Sequence, residues 1–157
     1  MQYRLAVKED AKRLFELLEG VQDLHATGRP DIFIKGASKY TLKEIESIIE
    51  NVNTPVFVAV DDSNFVMGYA FCSIESVIDS NNLQPIKTLY IDDLCIDKSQ
   101  RRQGEGEKLY NYVLKKAKEF NCYHLTLNVW HLNESALKFY QKLGMHPLKT
   151  TMEQIIK

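Results

Sequence analysis

Two adjacent carboxylates, Asp92 and Asp93, interrupt the apolar run KTLYIDDLCID. A carboxylate in such a run loses solvation and is suited to taking a proton from an amine. Downstream, Arg101 and Arg102 precede Gly104 and Gly106 at the start of a helical pattern. Glycine permits backbone geometries closed to other residues, and the free N–H groups of a helix start form an anion site. The two arginines add positive charge beside it. The turn is not a P-loop, because no Gly-Lys-Ser/Thr follows, and Leu109 stands where a dinucleotide fingerprint wants glycine or alanine. Tyr140 lies on the apolar face of a later helical pattern, where spacing alone makes it a core aromatic. Cys72, Cys95 and Cys122 sit apart in apolar runs without a Cys-x-x-Cys spacing, which fits packed thiols rather than a disulfide or zinc framework. Cys95 has no His-Asp partner in sequence that would make it a nucleophile. His25, His124, His131 and His146 show no metal-ligand spacing, so no metal is expected.

These residues need elements to hold them. Residues 2–6 read as a short strand and residues 8–20 as a helix stopped by Gly20. Residues 21–39 show no period and read as a loop containing HATGRPDIF; residues 41–52 return to helical spacing. Pro55 to Ser76 reads as an antiparallel hairpin turning at residues 61–64. A strand through KTLYIDDLCID follows, then a helix over 103–120, then the β-rich run CYHLTLNVW. Asn133 caps a last helix that Gly144 ends. Residues 146–156 are free to add a final strand. This order predicts one α/β domain over residues 1–157 with a mixed sheet.

Arg101-x-x-Gly104-x-Gly106 after a strand is similar to the acyl-CoA-binding signature Gln/Arg-x-x-Gly-x-Gly/Ala of the GNAT family of N-acetyltransferases. The segment from Asn133 to Met145, NESALKFYQKLGM, resembles that family's second signature, with Met145 in place of the usual phenylalanine. The resemblance covers essentially the whole chain. It implies a mostly antiparallel mixed sheet flanked by about four helices.

It also implies roles. Acetyl-CoA would be the cosubstrate, with its diphosphate on Arg101, Arg102, Gln103, Gly104, Glu105 and Gly106. Its pantetheine arm would lie along Leu94, Cys95 and Ile96, near Asn133 and Ala136. Asp92 would be the first choice of general base and Asp93 the second; strand parity sets them on opposite faces unless a bulge intervenes. Tyr140 would return a proton to the leaving thiolate, and a backbone N–H near Leu94 or Cys95 would polarise the thioester carbonyl. His25, Arg29, Asp31 and Phe33 would meet the acceptor, a small-molecule or peptide amine, although an Arg29–Asp31 pair stiffened by Pro30 is an equally plain reading of that loop. Residues 75–84 could form the facing wall. Glu105 and Glu107 depart from the pattern, because a carboxylate at the helix start repels a diphosphate.

Composition bounds the rest. With 20 Lys+Arg against 21 Asp+Glu, the chain lacks the surplus cations of a nucleic-acid coating protein. The charged N-terminal residues are neither a secretory signal nor a membrane span, so a cytoplasmic protein without membrane contact is expected. The resemblance further points to a homodimer through terminal strands or sheet edges. Two other readings compete: a non-catalytic acyl-CoA-binding module, motivated by Glu105 and Glu107, and a nucleotide-binding domain using the glycine loop, which leaves the Asn133–Tyr140 helix unexplained.

Overall fold

A computed structural model describes the backbone of residues 1–157 and every side chain except those of residues 22–24. The elements run β1 (Gln2–Leu5), α1 (Ala11–Gly28), α2 (Leu42–Glu50), β2 (Val56–Val60), β3 (Val66–Ser76), β4 (Lys87–Ile96), α3 (Glu105–Glu119), β5 (His124–Leu127) and α4 (Glu134–Lys142), with 3-10 turns at Lys8–Asp10 and Lys98–Gln100. One sheet has the order β1-β2-β3-β4-β5. All pairings are antiparallel except that of β4 with β5. The expected fold class is the one found. No helix is long and apolar enough to cross a membrane among the described residues.

Alternation along the strands sends side chains to two cores. Val58, Tyr69, Phe71 and Cys95 join Leu14 and Leu18 of α1 and Ile45 of α2 on one face. Phe57, Ala70, Cys72, Leu89 and Ile91 join Leu109 and Val113 of α3 on the other, where Tyr140 and Leu143 of α4 also pack. Thr41 caps α2: its hydroxyl accepts from the Glu44 N–H while the Glu44 carboxylate accepts from the Thr41 N–H. That reciprocal bond fixes the segment just before α2, which reaches the site described below.

Three expectations from sequence are corrected. Gly20 does not stop α1, which continues to Gly28 and ends where the Arg29 N–H reaches the His25 carbonyl. A mid-helix glycine costs only about 1 kcal/mol against alanine, and Val21 and Ala26 bury apolar surface beyond it. The supposed loop over 21–39 is therefore helical over its first eight residues, 21–28. The β-rich run after Cys122 forms only the four-residue β5. Residues 146–157 form no strand.

Gly68 of β3 sits across from Ile96, and an added Cβ would lie 2.9 Å from the Cys95 carbonyl and 2.5 Å from Ile96 Cδ1. The carbonyl is backbone and cannot swing aside. Gly68→Ala is expected to destabilise the fold by roughly 1–3 kcal/mol, read as a lowered urea midpoint at unchanged m-value. An unchanged midpoint would show that β3 and β4 can separate freely here.

Candidate active site

β4 carries one extra residue. Phe71 faces Asp93 and Cys72 faces Ile91, so Asp92 is the unpaired residue of a β-bulge. Before it, Leu89 and Ile91 point to the α3 face; after it, Cys95 points to the α1–α2 face. The bulge thus turns Asp92 and Asp93 to the same face, overturning the opposite placement that simple parity gives. β5 pairs with β4 only from Thr88↔His124 to Ile91↔Leu127. Beyond Ile91 the two parallel strands part, and residues 92–96 have no ladder partner on that side. Leu94, Cys95 and Ile96 all lie in this stretch.

The two carboxylates differ in surroundings. Asp92 Oδ2 accepts from the Tyr40 hydroxyl at 2.7 Å and is 2.8 Å from Lys39 Nζ. The Tyr40 ring packs on Phe71 with centroids 5.7 Å apart. Asp93 accepts from the Tyr69 hydroxyl at 3.0 Å. Burial pushes the Asp93 pKa above the ordinary carboxylate value and the charge of Asp92 adds to this, against the lowering pull of Tyr69, Lys39 and His25. A base of raised pKa is better matched to an amine proton.

At the start of α3, Arg102 and Gly104 have φ of 63° and 77°. The left-handed turn at Gly104 explains a glycine there. An added Cβ at Gly106 would meet Phe139 and Ile96 at 3.5 and 3.7 Å, ordinary contact, so alanine would fit. The Lys108 N–H bonds back to the Gly104 carbonyl, so the N–H groups of the turn before it are those that a helix start presents to an anion. Arg101 Nε donates to the Ile96 carbonyl at 3.2 Å, tying the loop to the end of β4. Gln103 is tied to the Ser99 carbonyl. Arg102 is exposed with no ion pair among the described residues. Neither glutamate faces this N–H cluster unpartnered. Glu105 is buried, accepting from the Tyr3 hydroxyl at 2.7 Å and from Lys108 Nζ at 2.6 Å, and Glu107 lies 3.7 Å from Lys142 of α4. A diphosphate therefore fits the residues present.

Asn133 Oδ1 caps α4, accepting from the Ala136 N–H at 3.1 Å. One turn on, Tyr140 packs against Tyr110 and Phe139 with ring centroids 6.1 and 5.0 Å away. Burial, then the charge of Asp93, raises the Tyr140 pKa, so its hydroxyl keeps its proton at neutral pH. Tyr140 belongs to the α3 face and Asp93, through Tyr69, to the α1–α2 face, so this influence crosses the sheet. Cys95 is buried with its pKa raised by desolvation, the behaviour of a packed thiol.

A cavity of about 350 Å³ lies between the end of α1 and the approach to α4, lined by His25, Thr27, Gly28 and Phe33 and by Trp130, Leu132, Asn133 and Ser135. His25 stacks on Phe33 at 5.2 Å, and Trp130 meets Phe33 edge-on at the same separation. Arg29 and Asp31 do not line it. They form a two-pronged ion pair with bonds of 2.9 and 2.8 Å, and Arg29 also holds Glu153 of the C-terminal segment at 2.9 Å. The residues 75–84 do not line it either. Lys39, Tyr40, Trp130 and Leu132 belong to the site although no motif points to them; the aromatic Trp130 beside the Asn133 signature was the available signal.

A family model described as the acetyltransferase (GNAT) family matches residues 18–145. Among solved structures, the chain is similar to a variant of the BH1408 protein from Bacillus halodurans, at 27% identity and TM-score 0.94, with 100% of each chain covered. It is similar in fold to a transcriptional regulator from Bacillus halodurans, at 19% identity and TM-score 0.77 over 99% of each chain. The aminoglycoside N-acetyltransferase AAC(6')-Iy, solved in complex with CoA, shares the fold at 17% identity and TM-score 0.71 over 99% of each chain.

The raised Asp93 pKa has a stability consequence of definite sign. The folded state holds the Asp93 proton more tightly than the unfolded chain, so ionisation costs stability as pH rises from about 3.9 through the raised folded value. Asp93→Asn keeps an acceptor for Tyr69 and removes that cost. Thermal melts should give the variant a Tm at or above wild type at pH 8, with the gain shrinking toward pH 4. A variant less stable at pH 8 than at pH 4, relative to wild type, would refute the desolvated carboxylate.

Proposed function

The chain belongs to the acetyltransferase (GNAT) family, and on that premise we propose that it is an acetyl-CoA-dependent N-acetyltransferase acting on the amine of a small molecule or a peptide by direct attack in a ternary complex. The observation that carries this reading is the convergence of three features on the opening between β4 and β5. They are the helix start after Gly104, which Arg101 ties to the end of β4, the carboxylates on the bulge, and the proton-bearing Tyr140 hydroxyl.

Acetyl-CoA supplies an acetyl group already activated as a thioester. The N–H groups of residues 102–107 and the Arg102 guanidinium bind its diphosphate, as a helix start binds anions generally. Arg101 and Gln103 hold that loop on the end of β4 and on Ser99. The open edge of Leu94, Cys95 and Ile96 offers backbone groups for an extended arm to pair with, and a N–H there can donate to the carbonyl oxygen on which charge develops. Asn133 keeps its amide N–H₂ for the same arm while its oxygen caps α4.

Asp93 takes the amine proton. This reverses the order set by sequence, and the support lies in the neighbours. Asp92 Oδ2 is held by both Lys39 and Tyr40, whereas Asp93 has one hydroxyl donor and a raised pKa. Asp92 then orients the Tyr40 strap and keeps Asp93 basic by like-charge repulsion. Tyr140 gives its proton to the departing thiolate, and Asp93 and Tyr140 act from opposite faces of the sheet. Cys95, buried and protonated, supports direct attack over a covalent carrier. The non-catalytic module loses its motive, because Glu105 and Glu107 are paired with Tyr3, Lys108 and Lys142.

Release of CoA thiol against a panel of primary amines tests the reading. Tyr140→Phe is expected to lower kcat by roughly 10²–10⁴ with little change in the KM for acetyl-CoA. Tight CoA binding without acceptor-dependent thiol release, or a Tyr140→Phe variant of full activity, would count against it.

A further inference from the structure

The cavity beside α4 narrows the choice of acceptor. Its volume of about 350 Å³ is at the small end of the range for small-molecule sites, about 300–1,000 Å³. Phe33, Trp130 and Leu132 give it an apolar wall, and its uncharged polar groups come from both ends, His25 and Thr27 on α1 and Asn133 and Ser135 at the start of α4. No lysine, arginine, aspartate or glutamate lines it among the described residues.

That lining rejects some amines. A polyamine such as an aminoglycoside would bring several ammonium groups into a cavity that has no carboxylate among its lining residues. A diamine would set its second ammonium against an apolar wall with no carboxylate to match it. His25 lines the cavity and lies near enough to Asp93 for an imidazolium there to lower that carboxyl's pKa.

We infer that the acceptor is a small primary monoamine on an aromatic or branched aliphatic body, the body packed against Phe33 and Trp130 and the amine directed at Asp93. This deepens, and rests on, the acetyl-transfer reading. An aromatic body gains both apolar burial and favourable ring–ring geometry.

Trp130 is the only tryptophan in the chain, so its fluorescence reports occupancy without turnover. The test uses the full chain with 2-phenylethylamine, 3-methylbutylamine, putrescine and kanamycin, following both Trp130 fluorescence and CoA release. The first two amines should exceed the others in kcat/KM by about tenfold or more, the factor set by about 1.4 kcal/mol. Trp130→Ala should lower kcat/KM for 2-phenylethylamine by roughly threefold to tenfold, and Trp130→Phe should recover most of that loss. Preference for kanamycin or putrescine, or indifference to Trp130→Ala, would overturn the inference and leave acetyl transfer standing. A saturable fluorescence response to 2-phenylethylamine with no acetylation of any amine would sink the transfer reading while supporting the assigned ligand class. Neither response nor acetylation would sink both.

Discussion

Parallel pairing between β4 and β5 stops at Ile91 and Leu127, although β4 continues to Ile96. Buried backbone groups must find partners, and along residues 92–96 the side facing away from β3 is left without a strand. That unfinished ladder makes room for an extended ligand and opens a passage between the two faces of the sheet. Across it, the charge of Asp93 in one core raises the pKa of Tyr140 in the other, the pairing that the proposed transfer uses. Were β5 to run alongside β4 to its end, the carboxylate and the phenol would lie on opposite sides of a closed sheet.

The glycine loop and the acidic helix start look contradictory in sequence, and the tertiary fold reconciles them. Glu105 is an anion at a helix N-terminus, where the backbone dipole favours it, yet its side chain is drawn away to Tyr3 of β1 and to Lys108. Hydrogen bonds from Lys108 and Tyr3 hold the Glu105 pKa below the ordinary carboxylate value. Glu107 is drawn the other way, to Lys142 of α4. The backbone N–H groups between them remain available. The same loop explains the tolerance of its signature: Gly104 needs a positive φ, whereas Gly106 has space for a methyl group.

Most of the architecture was legible in the sequence, because long amphipathic periods and clear caps dominate it. Asn133 as a cap and the Asp61–Asn64 turn are local chemistry, readable without tertiary context. What escaped was decided elsewhere in the fold. Gly20 resembles a helix stop, but burial of Val21 and Ala26 outweighs its weak propensity. The tail's apolar residues, such as Met152 and Ile156, suggested a strand, yet they stay exposed and the segment is held through Glu153 on Arg29. Lys39 and Tyr40 had no motif to mark them, since their importance comes from a contact with Asp92 across more than fifty residues of chain. Of the four acceptor-side residues read from the loop, His25 and Phe33 reach the cavity. Arg29 and Asp31 satisfy one another instead.

The bulge at Asp92 acts like a shift of reading frame. A strand reads out its side chains with a period of two, and one inserted residue changes the phase of everything that follows. Upstream of it, Leu89 and Ile91 are in frame with α3; downstream, Leu94 and Ile96 regain that face only because the count was advanced by one. Substituting Asp92 changes one side chain, and deleting it would leave residues 93–96 on their present faces; flattening the bulge with Asp92 still in the strand is what would exchange those faces together. Leu94 and Ile96 would turn toward α1 and α2, and Cys95 toward Leu109. The placement of the strand's chemistry thus depends on the bulge itself and not only on the identity of the residue that forms it.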